Sequence, residues 1–302
     1  LGAASLSTYA GRGIIPSSDP LHFGSPLARP SSVDVIASAD LVIVMGSELS
    51  EVDLWRDALG HSASLVRVDI DPEVLCDRHA ADYVILADCF AVLDQLSGIL
   101  DAPLETDWTV AEVACARAMW RAQIEAERPG ILPVADALRN AMPVDTLIYS
   151  DMTQFAYAAV EAWPMDHSGL WHHPSGFGTL GYALPAAIGG KIGAGDQPVV
   201  AIAGDYGFQY TLQELMVAVE LELTLPIIIW DNGKLGEIED SMVSAQIAPN
   251  AVLQKNPNFV KLAEAYGCAT SAPKTLADLE LSIVKALDAN GPTVIHVTSD
   301  IS

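Results

Sequence analysis

Short apolar runs recur along this chain, separated by stretches of helical or turn character. In the first third they are "LVIVMG" (41–46), "LVRVDI" (65–70) and "YVILAD" (83–88), the last leading into the helix-patterned "CFAVLDQL". Runs of this length, rich in Val and Ile and bounded by polar residues, predict strands. The alternation resumes further on with a helix at "PVADALRNAM", a strand at "TLIYSD" (146–151), a Gly-rich stretch "SGFGTLGYALPAAIGG" (175–190) and the strand "PVVAIAGD". A further helix, the strand "PIIIWDN", helices near 257–266 and 275–289, and the strand "TVIHV" follow. Strands alternating with helices predict an α/β fold with parallel sheets. The pattern divides into a partial domain over residues 1–100, a connector over 101–130 and a second doubly wound domain over 131–302. The connector is "DAPLETDWTV" plus a helix rich in Ala, Arg and Glu, stopped by the Pro-Gly of "ERPG".

Composition narrows this picture. With 302 residues, 51% of them hydrophobic, the chain has the length and apolar content for two globular domains and is not disordered. No apolar run approaches the roughly 18–20 residues that cross a bilayer, and no signal peptide opens it, so it reads as soluble and cytoplasmic. Thirty-nine acidic against 15 basic residues leave a formal charge of −24, which repels nucleic acid and anionic membranes and keeps the chain soluble. The four cysteines form no C-x-x-C pair, and neither a zinc site nor a disulfide framework is indicated. The chain lacks an initiator Met and opens on "LGAASLSTYAGRG", which reads as the interior of a domain; the expectation is that the first domain begins upstream.

The candidate chemistry lies in "GDYGFQYTLQELMVAVELELTLPIIIWDNGK" (204–234). "PVVAIAG" is a near-continuous apolar run, as in a parallel strand buried on both faces, and it ends at Gly204-Asp205. Thr211 with Glu214 predicts a capping box, and Leu212, Leu215, Met216 and Val219 predict the buried stripe of the helix that follows. "PIIIW" is the next strand, with Asp231-Asn232 at its end. Asp205 and Asn232 therefore fall at the carboxyl ends of parallel strands, where open α/β sheets bind ligands. If the strands are neighbours, about 4.8 Å apart, both side chains reach one ion at Mg²⁺-like distances of about 2.1 Å. A carboxylate plus an amide suits Mg²⁺ that brings phosphate oxygens with it, and Gly204 and Gly207 let main-chain N–H groups approach those phosphates. Either dyad alone is also an ordinary strand-end turn.

"GDYGFQ…DNGK" resembles the signature of thiamine diphosphate enzymes, and "SGFGTLGYALPAAIGG", "STYAGRGIIPSSDPLHFG" and "ADLVIVMGSELS…VRVDIDPEV" resemble the acetolactate synthase-like branch of that family. The resemblance implies a central domain followed by a pyrophosphate-binding domain. It implies Mg²⁺ on Asp205, Asn232 and the main-chain carbonyl of Lys234, and the diphosphate against Gly204, Tyr206 and Gly207 with Gln154 opposite. Tyr206 stands where the signature most often has Gly. Gly178 would accept from the cofactor's aminopyrimidine, and Leu180 would hold the cofactor bent. In the family, a glutamate on a separate pyrimidine-binding domain completes the site. No segment here resembles that domain, so the chain reads as a fragment inactive alone, or as one completed by a partner chain. Relatives are homodimers or homotetramers that act on small 2-oxo acids.

The helix after the metal loop places Glu237 and Asp240 on one face, and "NGKLGEIEDSMV" looks more like 5-guanidino-2-oxopentanoate decarboxylases than like acetolactate synthases. A cationic 2-oxo acid is the implied substrate; the plainer reading is a solvated acidic face. His172 and His173 are candidate proton donors beside the Gly-rich loop, a place where histidines are also often structural. Asp69 and Asp71 end a strand and could meet a ribose, as FAD does in some relatives. Asp71-Pro72 is equally an N-cap followed by Pro at N1, and "GSELSEVDLW" lacks basic residues, so no FAD is expected. The leading expectation is a thiamine diphosphate-dependent 2-oxo acid decarboxylase. The alternatives are an acetolactate synthase-type carboligase and a non-catalytic Mg-phosphate-binding regulatory protein.

Overall fold

A computed structural model of the chain describes residues 2–100, 105–253 and 255–302. Residues 101–104, where the connector was expected to open, lie outside the described residues, as does Leu1. The chain divides into two compact units, Leu1–Trp120 and Arg121–Ser302.

The first unit runs α1 (Ser32–Ala37), β1 (Leu41–Met45), α2 (Glu51–Leu54), β2 (Ser64–Asp69), α3 (Pro72–Leu75), β3 (Tyr83–Leu86) and α4 (Cys89–Ile99), and α5 (Val110–Glu127) begins within it. Its strands form a parallel sheet in the order β1-β2-β3. Leu54 and Leu65 are fully buried at its centre, packed with Leu27, Ile36, Leu49 and Leu59. Arg67 interrupts the apolar run of β2. It is nonetheless buried, because its guanidinium meets the Asp77 carboxylate at 2.5 Å and the Ser47 carbonyl at 3.1 Å. The Asp71 side chain accepts from the Glu73 N–H at 2.8 Å with Pro72 at N1, the expected cap. β3 is exposed at all four positions and α4 buries no residue, although parallel strands are ordinarily covered on both faces.

The second unit continues with α6 (Ile131–Ala141), β4 (Leu147–Ser150), α7 (Gln154–Ala162), β5 (Trp171–His172), α8 (Ala183–Ala194) and β6 (Val199–Gly204). After β6 come α9 (Asp205–Thr211), a 3₁₀ turn (Leu212–Glu214), α10 (Leu215–Glu220), β7 (Leu225–Asp231), α11 (Gly236–Ser244), α12 (Phe259–Tyr266), β8 (Ala269–Ser271), α13 (Leu276–Leu287) and β9 (Pro292–Thr298). All six strands are parallel, in the order β5-β4-β6-β7-β9-β8. β6 and β7 are central and buried along almost their whole length, as the apolar runs predict. The chain leaves β4 outward to β5 and returns to β6 on the other side of β4. The carboxyl ends of β4 and β6 thus flank the point where the strand order reverses, the place where such sheets bind ligands.

The crossover after β6 differs from its predicted form. The helix begins at Asp205 itself, and the Thr211–Glu214 capping box does not form. Thr211 donates its hydroxyl to the Gly181 carbonyl at 3.1 Å instead, because the Gly-rich loop packs against α9. Of the predicted stripe, Leu215 is buried and Leu212 and Val219 pack partly buried against the core, whereas Met216 is 49% exposed and Ala218 is buried in its stead. β5 and β8 are short edge strands that no apolar run announces.

Candidate active site

Gly204 pairs with Trp230 in the β6–β7 ladder, so Asp205 and Asp231 emerge side by side at the carboxyl edge of the sheet. Asp205 is buried at 3% exposure. Burial raises its carboxyl to about 6, helped by the neighbouring Asp231 charge and opposed by the hydrogen bond from Asn256. Burial pushes Asp231 upward too. Its hydrogen bond to His296 (Oδ2···Nε2 2.8 Å), the charge of His296, the Gly233 N–H and Asn256 outweigh that, and its carboxyl lies below the ordinary value. The pair therefore divides the work: Asp231 stays ionised on His296, while Asp205 is the group that wants a proton or a cation.

Asn232 follows at the same edge. Its Oδ1 accepts from the Lys234 N–H at 3.2 Å, and its Nδ2 donates to Gln154 Oε1 at 3.0 Å. Gln154 opens α7 directly after β4, so the reversal of strand order brings "SDMTQF" against "DNGK". Lys234 pairs across an antiparallel bridge with Leu253, and its Nζ meets Glu239 at 2.7 Å. Tyr206 donates its hydroxyl to the Val252 carbonyl at 3.2 Å. Gly207 sits under Asp151, a fully buried carboxylate that accepts from the Gly181 N–H at 3.2 Å and the Ala183 N–H at 2.8 Å, pinning the entry of α8. Burial raises the Asp151 carboxyl, and these N–H groups pull it back down.

The Gly-rich loop places Gly178 at φ +65°, with its N–H on the Pro174 carbonyl at 2.8 Å and Met152 beside it. Leu180 is half-buried at the end of this loop. His172 lies in β5 rather than in a loop and stacks on Tyr149, with ring centroids 4.6 Å apart. Burial lowers its imidazole, with a main-chain contact at Gly169 opposing. His173 Nδ1 pairs with Ser150 Oγ at 2.9 Å, and its ring meets Tyr157 edge-on. Glu237 is gripped by both sides of Arg128, at 2.9 Å to Nε and 3.0 Å to Nη2, with the guanidinium 6.0 Å over the Tyr157 ring. Asp240 is exposed on the same helix.

Asp205, Asp231, Asn232 and Gln154 are thus brought together, whereas Glu237 turns to Arg128 and His172 to Tyr149. Sequence reasoning missed Asn256, His296, Asp151 and Arg128 as members of this neighbourhood. His296 alone left a signal, as a lone polar residue within the apolar "TVIHV". Among the described residues no group of three or more His, Cys, Asp and Glu is placed to hold a metal ion. An ion here would draw on one carboxylate plus amide, main-chain and ligand oxygens. That all-oxygen set and the buried, cation-seeking Asp205 fit Mg²⁺ bound together with a diphosphate.

A doubly wound parallel sheet with a buried carboxylate at a strand end beside its reversal point belongs to the α/β class that binds ligands at that edge, and sequence similarity says which family. Residues 151–297 match the family described as thiamine pyrophosphate enzyme, C-terminal TPP binding domain, and residues 1–96 match the thiamine pyrophosphate enzyme central domain. The chain belongs to the thiamine pyrophosphate-dependent enzyme family, in its acetolactate synthase-like branch. It is 37% identical over 302 residues to the probable 2-ketoarginine decarboxylase AruI of Pseudomonas aeruginosa, covering 98% of this chain and 54% of that protein. It is 26% identical over 308 residues to the acetolactate synthase isozyme 1 large subunit of Escherichia coli, covering 97% and 53%. The isozyme 3 large subunit of the same organism is 29% identical over 252 residues, covering 79% and 44%. The chain spans about half the length of the curated relatives it matches. No helix among the described residues is long and apolar enough to cross a membrane.

Proposed function

We propose that this chain is the central and diphosphate-binding portion of a thiamine diphosphate- and Mg²⁺-dependent decarboxylase of a cationic 2-oxo acid. The observation that carries the reading is the buried Asp205 at the reversal point of the sheet, in a chain 37% identical to a probable 2-ketoarginine decarboxylase. In this reading Asp205, Asn232 and the Lys234 carbonyl hold Mg²⁺. The main-chain N–H groups around Gly204, Tyr206 and Gly207, with Gln154, hold the diphosphate. The Gly178 carbonyl accepts from the aminopyrimidine, and Leu180 supports the bent cofactor. When bound, the cofactor supplies a carbanion nucleophile and an electron sink. His173, oriented through its Nδ1 by Ser150 Oγ, is the candidate for holding or delivering a proton, and His172 stands next to it on β5. Glu237 is a positioning group that seats α11 through Arg128, which leaves the exposed Asp240 to favour a cationic substrate.

The pyrimidine-binding part of the active site is assigned to polypeptide other than these 302 residues, in a homodimer or homotetramer, and the 302 residues alone are expected to be inactive. The protein is assigned to the cytoplasm, without FAD, nucleic acid or membrane as partner.

The test is calorimetric titration of thiamine diphosphate with and without Mg²⁺, together with product analysis from 5-guanidino-2-oxopentanoate and pyruvate. Magnesium-dependent binding lost in Asp205→Ala, with CO₂ released from the guanidino acid, supports the reading. Absence of binding by the full encoded chain sinks it. The 26–29% identity to acetolactate synthases keeps carboligation as a second reading, which acetolactate formed from pyruvate would favour.

A further inference from the structure

The carboxylates at the sheet edge are held by a residue from a distant segment. Asn256, 51 positions after Asp205, donates its Nδ2 to Asp205 Oδ2 at 2.6 Å and to Asp231 Oδ1 at 2.9 Å. The orientation of this amide follows from the hydrogen bonds around it. Gln209 Nε2 donates to the Asp205 main-chain carbonyl at 2.9 Å, and a carbonyl only accepts, so Gln209 must present nitrogen there. The same nitrogen lies 3.3 Å from Asn256 Oδ1, which turns the Asn256 nitrogen toward the two carboxylates. Each amide hydrogen then serves one carboxylate.

The segment carrying Asn256 is itself tied down. The Leu235 N–H donates to the Val252 carbonyl at 2.9 Å, Tyr206 reaches the same carbonyl, and Leu253 bridges to Lys234. Asp231 is engaged on both oxygens, Oδ1 by Asn256 and the Gly233 N–H, and Oδ2 by His296. Asp231 is thus held in place by three donors beside Asp205. Without the amide, the two carboxylates at neighbouring strand ends would lose the donor that bridges them, and their repulsion would be less opposed.

We propose that Asn256 is a positioning residue for metal binding: its amide spans Asp205 and Asp231, fixes the Asp205 carboxylate for a divalent cation, and keeps the pair from binding a bare cation without its diphosphate. This rests on the Mg-diphosphate reading of the site, and the variants separate the two. Removing a group that orients a metal ligand ordinarily costs 10–100-fold in metal affinity. Asn256→Ala is therefore expected to raise the Mg²⁺ concentration that half-saturates thiamine diphosphate binding by about 10–100-fold. Asn256→Asp replaces two donors with a third carboxylate and leaves Asp231 Oδ1 with the Gly233 N–H alone, so it is expected to bind Mg²⁺ or Mn²⁺ alone.

The experiment uses the full encoded chain. Calorimetry of thiamine diphosphate is run across a Mg²⁺ series, and thermal melts are run with metal alone. The expected result is a rightward Mg²⁺ shift for Asn256→Ala, and a melting temperature that rises with metal alone in Asn256→Asp but not in the wild type. A residue that merely braces its loop would not reverse the sign of the metal response between two variants. A half-saturating Mg²⁺ concentration for folded Asn256→Ala within twofold of wild type overturns the proposal. Should that variant not fold, equal metal responses of Asn256→Asp and wild type overturn it. If the wild type binds no thiamine diphosphate, the functional reading fails, while the metal-alone melts still decide the role of the amide.

Discussion

Replacing Gly207 with Ala sets helix propensity against packing, and the structure says which wins. Gly207 lies within α9 without a left-handed backbone, so Ala is conformationally welcome there and on propensity alone would stabilise by about 0.5–1 kcal/mol. A Cβ at this position, however, would collide with Asp151 Oδ2. Asp151 is fully buried and accepts from the Gly181 and Ala183 N–H groups, so it cannot swing aside without leaving buried donors unpaired, at about 1–3 kcal/mol each. Overpacking a rigid site costs about 1–3 kcal/mol when neighbours shift rather than break. The net expectation is a loss of about 2–4 kcal/mol, read by equilibrium urea unfolding as a lower midpoint at unchanged slope. The decisive comparison is the double-mutant cycle. In an Asp151→Ala background the obstacle is gone, and Gly207→Ala should become neutral or slightly stabilising, a coupling of about 3 kcal/mol. A single variant within about 0.5 kcal/mol of wild type, or additive effects across the cycle, would refute the reasoning.

Three further outcomes are expected. Glu237→Gln removes the bidentate ionic partner of the half-buried Arg128 guanidinium, leaving it the longer 3.5 Å contact to Glu127, and should destabilise by about 1–3 kcal/mol in urea unfolding, the loss disappearing in an Arg128→Met background. Ser150→Ala removes an acceptor of the buried Trp171 indole N–H (2.7 Å) and a hydrogen-bond partner of His173; a loss of about 1–3 kcal/mol is expected, with Trp171 fluorescence as a second readout. At pH 8 a thiol reagent should modify the exposed Cys76 and Cys115 quickly, whereas Cys268, its thiol raised to about 11 by burial, keeps its proton and should react only as urea unfolds the chain. Rapid labelling of Cys268 in the native protein would contradict its placement under α12.

Several features were legible along the chain because each is local. β6 and β7 are apolar at nearly every position and buried on both faces, and Asp71-Pro72 announced its own cap. The position of Asp205 and Asn232 at strand ends followed from where the apolar runs stop. Periodicity reports how one element is buried, but it does not report which elements lie beside it. Thr211 and Glu214 have the spacing of a capping box, yet the hydroxyl of Thr211 goes to Gly181, because a loop some thirty residues earlier packs there. Glu237 reads as an exposed acid until α11 is placed against Arg128, 109 positions away.

What the sequence by itself determined is the α/β alternation, the buried parallel strands and the thiamine diphosphate signature at their ends. Only the tertiary structure decided that β5 lies outside β4, so that the strand order reverses between β4 and β6, and that Asn256 and His296 take charge of Asp231. The physical reason is that a strand's burial is encoded in its own residues, while the partner of a buried charge is supplied by whichever distant segment the strand order brings within hydrogen-bond reach.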